Sequence, residues 1–88
     1  MYDDLCKAIV IAYPAIQWFA FQKAVSLAEE IAQVVKRYND DKTSNEVKEA
    51  LIKIGKDASS FLRKYKQDRV PGAADELQTC LTAIEMEN

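Results

Sequence analysis

Residues 8–21 read AIVIAYPAIQWFAF, fourteen positions in which Gln17 is the only strongly polar side chain and Pro14 stands at the centre. A helix that crosses a bilayer needs about 20 consecutive apolar residues, whereas Lys7 on one side and Gln22-Lys23 on the other close this run at fourteen. Such a length suits a helix buried in a globular core or lying at an interface. A secretory signal would carry a positive segment ahead of its apolar stretch and a small-residue cleavage site after it. This chain instead opens Met1-Tyr2-Asp3-Asp4 and has no good cleavage site. The run therefore belongs to the fold, no membrane role is expected, and the expected location is cytoplasmic. Proline lacks an amide hydrogen and its ring meets the carbonyl four residues back, so Pro14 either starts a helix or kinks one. A boundary near Tyr13 is expected, with a short helix before it.

Downstream of that break the pattern is regular. Ala20, Ala24, Leu27, Ala28, Ile31, Val34, Val35 and Tyr38 recur at intervals that place them on one helical stripe. The stripe should stop at Asn39-Asp40-Asp41-Lys42. Thr43-Ser44-Asn45-Glu46 then reads as a capping box, with the threonine oxygen accepting a backbone N–H and the glutamate reaching back. A third helix follows, with Val47, Ala50, Leu51, Ile54, Ala58, Phe61, Leu62 and Tyr65 inward and Glu49 and Lys53 spaced as an i,i+4 pair outside. Asp68-Arg69-Val70-Pro71-Gly72 interrupts it, and Ala74, Leu77, Cys80, Leu81 and Ile84 resume the period as a fourth helix.

Two glycines and two prolines leave little material for hairpins, and apolar residues make up 49% of the chain, enough for a packed core. Short connections favour antiparallel neighbours. The expected fold is all-α: a compact up-down helical bundle of three long helices plus a short N-terminal helix, with residues 1–88 as a single domain. Leu27, Ile31, Leu51, Ile54, Phe61, Leu77 and Leu81 form its expected core.

A second stripe complicates the second helix. Trp18, Phe21 and Val25 lie off the core face, with Phe19 on yet another side, and one face of a small bundle cannot bury them all. Either the first helix, through Leu5, Ile9 and Ala12, folds over them, or they form a surface for a partner. The expectation adopted is a partner interface of Trp18, Phe21 and Val25, with homodimerisation as its simplest use.

The chemistry available is restricted. With no histidine, His-based triads, Glu-x-x-His di-iron sites and most mixed zinc sites are excluded. Cys6 and Cys80 are too far apart for a CxxC motif and are expected as reduced thiols, although an up-down bundle would bring them to the same end. The acidic pairs Asp3-Asp4 and Asp75-Glu76 fall at helix starts, Asp40-Asp41 in a turn and Glu29-Glu30 on a solvent face, so no metal site and no catalytic residues are assigned. Neither a phosphate loop nor a nucleophile elbow is present, and no cofactor is expected.

A formal charge of −2 gives no global attraction to nucleic acid or anionic lipid. One local cluster remains: Arg63, Lys64, Lys66 and Arg69 surround Tyr65 and could contact phosphates. The functional expectation is a non-enzymatic helical interaction module of the adaptor, inhibitor, immunity or assembly-subunit kind, binding a protein partner or itself. The alternative is an accessory nucleic-acid or anionic-lipid binding protein using residues 63–69.

Overall fold

Pro14 does not divide the opening stretch. In the computed structural model, which describes residues 1–87, the first helix, α1, runs Tyr2–Gln17 with Pro14 inside its last turn. The expected boundary near Tyr13 is therefore corrected, and the N-terminal helix is a full member of the bundle. The amide bond that proline removes would have gone to the carbonyl of Val10, and both residues lie on the solvent side of α1, where water can satisfy that oxygen. Little helix remains beyond it to be disturbed. The carbonyl of Pro14 still accepts the Trp18 N–H at 3.0 Å.

The chain turns at residues 18–21 and continues as α2 (Gln22–Asp40), α3 (Asn45–Lys64) and α4 (Ala73–Glu87). The cap of α3 lies one residue later than the sequence suggested. Ser44 is the N-cap, its Oγ accepting the Val47 N–H at 3.3 Å, whereas the Thr43 hydroxyl and N–H both donate to Asp41 Oδ1, at 2.7 and 3.1 Å. Glu46 faces Arg37 instead of reaching back, with 3.8 Å between their charged atoms. Lys53 pairs with Asp57 at 3.2 Å, not with Glu49. At the other end of α3, the Lys66 N–H bonds Arg63 O and the Gln67 N–H bonds Leu62 O, closing the helix with Lys66 at φ 49°, a left-handed position that glycine usually fills.

Successive helices run antiparallel. Asp3 at the start of α1 meets Tyr38 at the end of α2, and Arg63 near the end of α3 meets Asp75 at the start of α4. The helices α1 and α3 are parallel and in contact, with Lys48 over the Tyr2 ring near their N-termini and Phe19 against Phe61 beyond the C-terminus of α1. Small residues permit this approach: Ala12, Ala15 and Ala58 are fully buried, and a Cβ on Gly55 would lie only 3.1 Å from Leu5 Cδ1. By contrast, no Cα of α2 comes within 8 Å of one in α4. The cross-section is a rhombus with α1 and α3 on its short diagonal. All seven expected core residues are buried, and α1 adds Leu5, Ile9 and Ile16, each completely covered.

One polar link ties the start of α1 to the α2–α3 connection. The buried Tyr38 hydroxyl donates to Asp3 Oδ1 at 2.7 Å, and Lys42 Nζ lies 3.2 Å from the same oxygen. The hydrogen bond from Tyr38, then that from Lys42, holds the Asp3 carboxyl below its ordinary range, while burial and the bond to Asp3 push Tyr38 up to about 12. A folded-state pKa above the unfolded value near 10 means this stabilisation is complete below pH 10 and disappears as pH rises through 12. Denaturant titrations at pH 9 and pH 12 should therefore show wild type losing on the order of 2 kcal/mol more than Tyr38→Phe. Parallel losses in the two proteins would refute the link.

Candidate functional site

Two connections, residues 18–21 and 65–72, meet at one end of the bundle, and both sets of residues singled out in the sequence contribute to it. Phe19 is half-buried and stands edge-on to Phe61, with ring centroids 5.4 Å apart, and Phe21 lies 5.1 Å from Tyr65 and 5.9 Å from Phe61. The four rings form a continuous aromatic layer over the end of the core, and such tilted and edge contacts are favourable beyond the area they cover. Trp18 takes no part in this layer. Its ring lies under the Arg69 guanidinium, 3.6 Å from the centroid, on the side of the α3–α4 connection.

The expected interface residues are thus accessible but divided between neighbouring surfaces. Trp18 is 61% exposed, Val25 40% and Phe21 39%. Trp18 ends a longer apolar row that sequence reasoning missed: Val10 and Ile11, 51% and 58% exposed, and Pro14 precede it on the outer side of α1. The missed signal lay in the helical period. If Leu5, Ile9, Ala12 and Ile16 face the core, residues 10, 11, 14 and 18 must face away from it. The fourteen-residue run is core on one side of a helix and open surface on the other.

The four expected anion-binding cations are spread around the same end. Arg63 turns to α4, pairing with Asp75 at 3.3 Å. Lys64 lies over the Tyr65 ring at 5.5 Å, Lys66 occupies the left-handed turn, and Arg69 covers Trp18. Beside them a groove of about 380 Å³ runs between α2 and α3, with Lys23 and Lys64 near the aromatic end, Glu30 and Asp57 farther along, and Leu27 and Phe61 between.

Elsewhere the molecule offers little reactive chemistry. Among the described residues, no group of three or more Cys, Asp or Glu side chains could hold a metal ion. Cys6 and Cys80 are free and buried; Cys6 borders the α1–α2 groove and Cys80 the α1–α4 groove. Burial first, then Asp3 beside Cys6 and Glu76 beside Cys80, pushes both thiols up, away from the thiolate needed for nucleophilic work. Among the described residues no helix is long and apolar enough to cross a membrane. Neither a family model, nor a curated protein, nor a solved structure matches this chain.

Proposed function

We propose that this protein is a small, non-catalytic helical interaction module that works in the cytoplasm and binds a protein partner, or itself, through an apolar surface built on α1 and the start of α2. The observation that supports this reading most directly is the outer row of α1, Val10, Ile11, Pro14 and Trp18, left open on a helix whose opposite side builds the core. Phe21 and Val25, at the start of α2, are exposed on the neighbouring surface. Isolated apolar side chains on a surface are ordinary, but a row with an aromatic end marks an interaction site. Asp4 and Lys7 precede the row on the same side of α1, and the row itself is apolar throughout.

A second reading, anion binding by an accessory nucleic-acid or lipid protein, draws support from Lys64, Lys66 and Arg69. None of them is in an ion pair among the described residues, and the Trp18 and Tyr65 rings lie beside two of them.

The experiment that separates the readings is capture on the immobilised chain at low and high salt, comparing wild type with Ile11→Asp/Trp18→Ser. The interaction module should retain its bound protein at high salt and lose it in the double variant. Binding that falls steeply with salt would favour the anion reading, and undiminished capture by the variant would refute the α1 surface.

A further inference from the structure

We infer that the partner of the α1 face is a second copy of this chain, packed antiparallel along α1 about a two-fold axis at Ile11. This rests on the interaction reading above and makes it specific. On the outer side of α1, Asp4, Lys7, Ile11, Pro14 and Trp18 follow one another at intervals of three, four, three and four, the spacing of a helix seam that meets another helix. The row is self-complementary when reversed. With Ile11 on the axis, Ile11 meets its own copy, Lys7 comes beside Pro14 and Asp4 comes opposite the Trp18 of the other protomer.

Charge follows the same symmetry. The Asp4 carboxylate is three-quarters exposed, and its nearest cation is the N-terminal ammonium at 4.0 Å. The Trp18 end carries the Arg69 guanidinium, 3.6 Å from the ring centroid. Each end of an antiparallel pair therefore sets an acidic residue against a basic one, whereas a parallel pair would oppose like charges. The macrodipoles add to this: antiparallel packing sets the positive N-terminal end of each α1 beside the negative C-terminal end of the other, although Asp3 and Asp4 in the first turn offset part of the positive end.

Shape agrees as well. Ile11 borders two grooves, one toward α2 with Val10 and Lys7 and one toward α4 with Ala8 and Ala83. A second α1 laid along the row has side chains to fill both, as ridges of one helix fill the grooves of another. A stable dimer buries roughly 800 Å² on each partner, about a seventh of the 5520 Å² accessible surface. One side of a four-helix bundle can supply that.

The test is sedimentation equilibrium of the full chain, as wild type, Asp4→Arg, Arg69→Asp, and an equimolar mixture of those two variants. Wild type should be dimeric at micromolar concentration, and each variant alone should associate about tenfold or more weakly, because like charges then face each other at both ends. The mixture should recover, since a heterodimer of the two variants restores an opposite-charge pair at each end. Circular dichroism melting of each variant confirms that the bundle is intact. Three outcomes overturn the inference: a monomeric wild type, folded variants that dimerise as wild type does, or a mixture of folded variants no stronger than its components. If wild type is monomeric while Ile11→Asp/Trp18→Ser still loses a captured protein, the second copy is refuted and the interaction module stands.

Discussion

Truncating Phe61 to alanine is expected to lower the unfolding free energy by about 3–5 kcal/mol, the largest loss from any single change considered. Phe61 is only 4% exposed and is the ring that joins the aromatic layer to the core, standing 4.7 Å from Tyr65, 5.4 Å from Phe19 and 5.9 Å from Phe21. Removing it takes away its own buried area and leaves three rings around a cavity that helix backbones cannot easily close. A chain of 88 residues has a total stability of roughly 4–13 kcal/mol at 0.05–0.15 kcal/mol per residue. The variant should therefore be marginal, and urea unfolding at fixed protein concentration should show its midpoint falling sharply.

Leu51→Ala is expected to cost about 2–5 kcal/mol in the same measurement. Leu51 is completely covered, and it belongs to α3, which packs against each of the other three helices. Relaxation of one neighbour cannot fill the space, because the others hold their positions. Leu51→Met keeps most of the volume and should cost less than about 1.5 kcal/mol, which separates a cavity effect from a general intolerance to change. Losses below about 0.5 kcal/mol for both alanine variants would mean that the inward faces of α3 have been misassigned.

The amphipathic helices were legible because their apolar residues recur at one helical period, and the seven core residues read from α2, α3 and α4 are all buried, although Ala20 lies exposed before α2 and Val34, Val35, Ala50, Tyr65 and Ala74 are only half-covered. The first turn was not. No glycine, proline or polar cap marks residues 18–21; Phe21 is the N-cap of α2 without any side-chain bond, and the chain bends where Phe19 enters the layer with Phe61 and Tyr65. That contact joins residues 42 or more positions apart, so a local reading cannot see it. Pro14 misled for the converse reason. A strong local signal loses its force in a last turn whose vacated carbonyl faces solvent. The cap at Ser44 turned on a choice between two adjacent hydroxyls, decided by Asp41, which takes both Thr43 donors. For the candidate site, Trp18, Phe21 and Val25 were visible as too many large side chains for one face. Val10 and Ile11 were hidden within an apolar run that looked like core throughout.

The rhombic cross-section has a consequence for how sequence change can accumulate in this protein. Since no Cα of α2 comes within 8 Å of one in α4, a core substitution in one acts on the other only through the α1–α3 pair, and their energetic effects should largely add wherever their neighbours on that pair differ. Each outer helix answers only to the α1–α3 pair. The two are tenants of a common frame, and at the point where Leu5, Ile9 and Gly55 meet inside it Leu81 of α4 joins them, so those four positions must vary together.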